Sequence, residues 1–235
     1  MYHPFSVSDT IKTSWYLLRK NFAVVSIYSL IGFIIIIASV SLIFVFFRHD
    51  ILSMSVSGIV FLLILSFIIL GFIKLIFQLI DKEYYDFDFG DIVPNTKMIY
   101  SYLLLFLLIY TTSFFLEHAF ENKLEDGWVK YILGIFVGGF LQFFLIFYFP
   151  ICACFIVDDA SGPFESVMQS FKLIKGNFLR YLLLFVIIEA MVFVGVFTIV
   201  GMLFVVPFTY IILVVAYRKL VYSHQDVDDD LAETK

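Results

Sequence analysis

The chain has 235 residues, 62% of them hydrophobic and only 15% charged, with a net charge of -5 and a mean hydropathy of +1.02. Soluble domains run about half apolar and about a quarter charged, so a soluble globule is excluded. The apolar residues form continuous tracts, which excludes a transmembrane barrel built from alternating strands of about ten residues. Positive charges are scattered at the ends of these tracts, leaving no basic surface for nucleic acid. The two cysteines, Cys152 and Cys154, lie two apart inside an apolar tract and read as buried small residues. The composition defines an all-α polytopic membrane protein.

In chain order, residues 6–20 read as a helix lying in the membrane interface. Ser6 and Asp9 make a capping box. Val7, Ile11, Trp15, Leu18 and Phe22 share one face, with Asp9, Lys12, Arg19 and Lys20 elsewhere. An apolar face carrying Trp, beside basic residues, suits a surface-lying helix; the plainer alternative is an extension of the first span. The polar, amphipathic start reads against a cleavable signal peptide.

Spans are expected at about residues 22–47 and 58–80, the second with Lys74 inside it. The polar stretch that follows contains Asp91 and Pro94, and its Phe89, Ile92, Thr96 and Ile99 read as a weaker copy of the first lead-in. A third span is expected at about residues 98–116 and a fourth at about 129–157. Gly134, Gly138 and Gly139 give the fourth a surface for close helix contact, and Pro150 bends its later part. A second lead-in helix covers residues 163–177, with Pro163 at its first position and Glu165 at its third. Spans five and six follow at about 179–198 and 201–221, with Pro207 in the last, and the acidic tail 223–235 reads as disordered.

The two lead-ins are copies. SWYLLRKNF (residues 14–22) aligns with SFKLIKGNF (residues 170–178) without a gap, and both open onto an apolar run. Trp15, Asn21 and Phe22 therefore correspond to Phe171, Asn177 and Phe178. These six are the candidate interfacial anchors. Two hairpins separate the copies, so they share one orientation and are not the inverted repeats of many secondary transporters. The architecture is six spans in three hairpins, each approached through a lead-in. The charges Lys12, Arg19, Lys20, Lys82, Lys97, Lys172, Lys175, Arg180, Arg218 and Lys219 gather at one side, against Arg48, Lys123 and Lys130 at the other. By the positive-inside rule both termini are expected in the cytoplasm.

Glu189 is the main candidate for function. It lies about 15 Å along a helix from Arg180, where a carboxylate is costly unless paired, neutral or wetted. Three readings stand: a pair with Lys74, a neutral hydrogen-bonded group in the bundle, and a role in handling protons or substrate. Glu117, His118 and Glu121 sit together in sequence, but one His without an H-E-x-x-H pattern reads as a solvated loop helix, not a metal site. No nucleophile elbow, phosphate loop or dinucleotide fingerprint is present, and no cofactor is implied.

Pro163, Ser170, Phe171, Lys175, Gly176, Asn177 and Phe178, echoed by Ser14, Trp15, Lys20, Asn21 and Phe22, resemble an element of a loose superfamily of bacterial six-helix membrane proteins. That superfamily includes the membrane domain fused to some glycerophosphodiester phosphodiesterases. Phe171 stands where Trp is commoner in such proteins. The resemblance implies the six-span layout and the bacterial inner membrane; with no phosphodiesterase domain here, it carries over no activity. The leading expectation is a non-enzymatic accessory, scaffold or regulatory component of the envelope. The alternative is a small transporter or permease-like subunit for a lipid or hydrophobic solute, and a membrane-embedded lipid enzyme ranks third. Expected partners are membrane lipids and either another envelope protein or further copies of the chain.

Overall fold

A computed structural model describes residues 5–46, 51–81, 89–123 and 127–233. Among these residues the structure is helical, with no strand. The helices in chain order are α1 (Val7–Lys20), α2 (Phe22–Phe46), α3 (Ile51–Asp81), α4 (Thr96–Lys123), α5 (Trp128–Phe147), α6 (Phe149–Asp158), α7 (Pro163–Lys175), α8 (Phe178–Val196) and α9 (Ile199–Glu233), and a 3₁₀ turn at Phe89–Ile92 precedes α4. Six stretches are long and apolar enough to cross a membrane: Phe22–Val45, Val56–Asp81, Gly90–Thr112, Tyr131–Asp158, Phe178–Val196 and Gly201–Ser223. The chain is an all-α, multi-pass membrane protein. Antiparallel pairing of α2 with α3, α4 with α5, and α8 with α9 makes the three hairpins.

Local chemistry explains the breaks. Ser6 caps α1, its hydroxyl accepting from the Asp9 N–H. Helices α1 and α2 meet at Asn21 (φ -117°, ψ 26°), and α7 and α8 meet at Asn177 (φ -128°, ψ 27°). The same bridge-region kink thus recurs at the same position of each repeat. In the fourth span the helix is interrupted at Tyr148, which places Pro150 in the first turn of α6, where no intrahelical N–H is needed. Pro207, by contrast, is accommodated inside α9.

Two expectations meet a different outcome. The stretch before α4, read as a third lead-in, is a 3₁₀ turn whose Ile92 is buried, followed by the buried Pro94. Too few residues separate Asp91 from Thr96 for an amphipathic helix to form. Helix α4 runs on through Glu117, His118 and Glu121 to Lys123, so the helix read at these residues continues that of the third span. Helix α9 continues into the acidic tail as far as Glu233, where the composition suggested disorder; no Pro or Gly follows Pro207 to stop it.

The core lies toward one end of the bundle. Leu70, Ile73, Leu75 and Ile76 of α3, residues 151–157 of α6 and residues 211–217 of α9 are buried, and all lie in the halves that end at Asp81, Asp158 and Arg218. The opposite halves are open: Leu42, Phe44, Phe115, Trp128, Phe136, Phe140, Phe193 and Phe197 are all exposed. Helix α2 is the least covered span, touching the rest along a narrow seam that includes Val25 and Tyr28.

Candidate functional site

At the charged end, Arg218 of α9 joins three helices. Its Nη2 lies 2.9 Å from Asp81 Oδ2 of α3 and 3.5 Å from Asp158 Oδ1 of α6. Its guanidinium lies over the Phe77 ring, 4.7 Å from the centroid, an arrangement with its own electrostatic attraction. The neighbouring Tyr217 hydroxyl donates to Asp158 Oδ2 at 3.0 Å, and the Tyr217 ring packs edge-on against Phe77 and Phe155. Just outside the span, partial burial together with the Asp158 and Glu165 carboxylates raises the Asp159 carboxyl above its ordinary value, with Arg218 offsetting part of the rise.

A second set of ties holds the N-terminal helix. Lys219 donates to Asp9 and, at 3.0 Å, to Thr13 Oγ1, while Arg180 Nη1 donates to the Phe5 carbonyl at 3.2 Å. Helix α1 is thereby bound to α8 and α9 through its polar side as well as its apolar one.

The face that α1 turns to the bundle is rotated from the apolar face read for the membrane interface. Thr10, Ser14 and Leu18 are the buried residues of α1, and the matching Ser166, Ser170 and Ile174 are buried in α7. Each hydroxyl is satisfied within its own helix: Thr10 bonds the Ser6 carbonyl, Ser14 that of Thr10, and Ser170 that of Ser166. Small side chains with satisfied hydroxyls let two helices approach closely without stranding a polar group. Ser170 Oγ also lies within hydrogen-bond distance of Cys152 Sγ, at 3.2 Å. Both cysteines are free and buried.

The proposed anchors stand at the edges of this contact. Trp15 is 52% exposed and meets Phe208 edge-on; Phe22 stacks on Phe204. Phe171 lies 4.3 Å from Tyr148 between centroids, and Phe178 lies beside Phe147. Asn21 is buried, its amide donating to the Leu17 carbonyl at 3.2 Å, whereas the Asn177 side chain makes no cap bond. Substituting Ser170 by leucine should overfill the α6–α7 contact and destabilise the protein by about 1–3 kcal/mol. Ser170→Ala should lie close to wild type. Thermal unfolding in detergent will separate the two.

Lys74 and Glu189 are not brought together. Lys74 Nζ instead donates to the Val93 carbonyl at 2.8 Å, tying α3 to the turn before α4. The physical reason is helix order: α8 packs on α9 and α1, while α3 faces α2, α4, α6, α9 and the 3₁₀ turn. Glu189 is half-buried in α8, and among the described residues no hydrogen bond or ion pair reaches it. No group of three metal-ligating side chains forms among the described residues. The side chains of Glu117 and Glu121 lie outside them, as do Asp86, Asp88 and Lys82; the His118 ring stacks on Phe114.

Apolar cavities flank α2, two of them larger than a third of about 160 Å³ beside Ser39 and Leu42. One, of about 370 Å³, lies between α2, α3 and the 3₁₀ turn and is lined by Ile27, Ile31, Phe67, Leu75 and Val93 among others. The other, of about 240 Å³, lies between α2, α3 and α9 and reaches Pro207 and Tyr210. Tyr28 and Gly32 line both, and Glu189 lines neither.

The fold and these contacts define an integral membrane protein of six spans with an ion-paired clasp at one end. Comparison with known proteins finds no matching family model, no matching curated protein and no matching solved structure. Arg218, Asp81, Asp158 and Tyr217 were not singled out as a set from sequence, where Arg218 counted only toward topology. The available signal was a basic pair ending one span and acids ending two others, charges that can meet at one depth.

Proposed function

We propose that the chain is a non-enzymatic scaffold or accessory component of the bacterial inner membrane. Both termini lie in the cytoplasm, and α1 and α7 lie at the cytoplasmic interface. The observation that carries the reading is the use made of charged and polar side chains. Arg218, Asp81, Asp158, Tyr217, Lys219, Asp9 and Lys74 are all engaged in holding helices or turns to one another. Large apolar side chains meanwhile remain uncovered on the opposite halves of the spans, where a partner helix can pack. The positive-inside rule supports the orientation, since the basic residues collect at the clasp end.

A photoreactive residue in place of Phe136 should give a discrete protein adduct in native membranes. Lipid adducts alone would favour the second reading, a small permease-like protein for a lipid or hydrophobic solute, which the two larger cavities beside α2 support. The orientation has its own test in a background of Cys152→Ala and Cys154→Ala. Lys172→Cys should react with an impermeant maleimide only after lysis, and Trp128→Cys should react in intact cells. The reverse pattern would overturn the orientation.

A further inference from the structure

We infer that the cavity between α2, α3 and the 3₁₀ turn is a binding groove for one acyl chain of an anionic phospholipid, with Lys74 receiving the phosphate. The groove is apolar along its length and ends at Val93. On α2 it runs from Val24 to Ile35, about 16 Å at 1.5 Å per residue. One leaflet of a hydrocarbon core about 30 Å thick has the same depth. The match is to a single lipid tail.

The polar end has a matching charge. Lys74 stands one turn from Gly71 on the face of α3 that meets Tyr28 and Ile92, and its ammonium bonds the carbonyl of the groove residue Val93. That bond uses one of three ammonium donors. Among the described residues no carboxylate pairs with Lys74, and its ammonium stands beside an apolar groove. A tail with a phosphate at its head complements both parts at once, and a zwitterionic headgroup does so less well because its own cation repels the ammonium. A peptide helix is too wide at about 10 Å for a groove of about 370 Å³. This site is separate from the clasp at Arg218 and holds whether the chain serves as a scaffold or handles lipid.

The test is native mass spectrometry of the purified protein titrated with phosphatidylglycerol or phosphatidylcholine. Wild type should retain phosphatidylglycerol with about tenfold higher affinity, the size of one charge-assisted contact. Lys74→Gln should abolish the preference, and Lys74→Arg should keep it. Ile31→Trp, which fills the groove without touching the lysine, should weaken binding of both lipids, and Lys12→Gln should change nothing. Equal retention of the two lipids by wild type would overturn the assignment. So would a preference that survives Lys74→Gln, or undiminished binding in Ile31→Trp. If Lys74→Gln fails to fold, Ile31→Trp and Lys74→Arg still decide the matter.

Discussion

Gly71→Ala should loosen the first spanning helix by about 2 kcal/mol, and Tyr28→Phe should restore much of the loss. The expectation follows from one close approach. A Cβ on Gly71 would stand 2.4 Å from the Tyr28 hydroxyl oxygen, a separation that real Cβ atoms do not show. That hydroxyl is held by its hydrogen bond to the Ile68 carbonyl at 3.0 Å, so it cannot move aside without breaking the bond. The bond is worth about 1 kcal/mol, and crowding adds about 1–3 kcal/mol before relaxation. Removing the oxygen leaves Tyr28 Cζ as the next nearest ring atom at 3.6 Å, an ordinary contact. Tyr28→Phe alone should therefore cost about 1 kcal/mol, and the double variant should be clearly more stable than Gly71→Ala. Denaturation in mixed micelles measures all four proteins. Additive effects, or a Gly71→Ala protein as stable as wild type, would mean that α2 is not held at this crossing. The consequence matters because α2 has so few other attachments, and the larger flanking cavities depend on where it sits.

The legible parts of the fold are those that composition alone dictates. A tract such as residues 22–45 is apolar on every side, so its span needs no knowledge of its neighbours. The repeated lead-ins were legible because the copy carries its own boundary, with Asn21 and Asn177 at the same kink. Contacts that depend on helix order were not. Equal depth made a Lys74–Glu189 pair reasonable, but depth does not say which helices are adjacent, and α8 lies against α1 and α9. Periodicity picked out the apolar face of α1 for the membrane interface, and it carries no signal for the face that packs on the bundle. It weights Ile11 and Trp15 above Thr10 and Ser14, yet the closest packing goes to small residues whose hydroxyls their own helix satisfies. The clasp was hidden because each of its charges, taken singly, is an ordinary residue at the end of a span.

Arg218→Met should cost about 2 kcal/mol, a value set between two limits. Exposed ion pairs contribute about 0–1 kcal/mol, and removing one partner of a buried pair costs about 3–5 kcal/mol. The side chains of Arg218 and Asp158 are each 22% exposed, but Asp81 is 44% exposed, so its share is discounted for screening by solvent. Most of the cost falls on Asp158, which would keep its Tyr217 hydroxyl donor and lose its only cation among the described residues. It follows that Arg218→Met combined with Asp158→Asn should be more stable than Arg218→Met alone. The amide oxygen still accepts from Tyr217, and no charge is stranded. Asp81→Asn should cost less than 1 kcal/mol, in keeping with its exposure. If Arg218→Met unfolds at the same denaturant concentration as wild type, the clasp does not hold the three helices together. If instead the double variant is worse than the single one, the attraction between Arg218 and Asp158 is not the source of the loss, and the contact of the guanidinium with the Phe77 ring is.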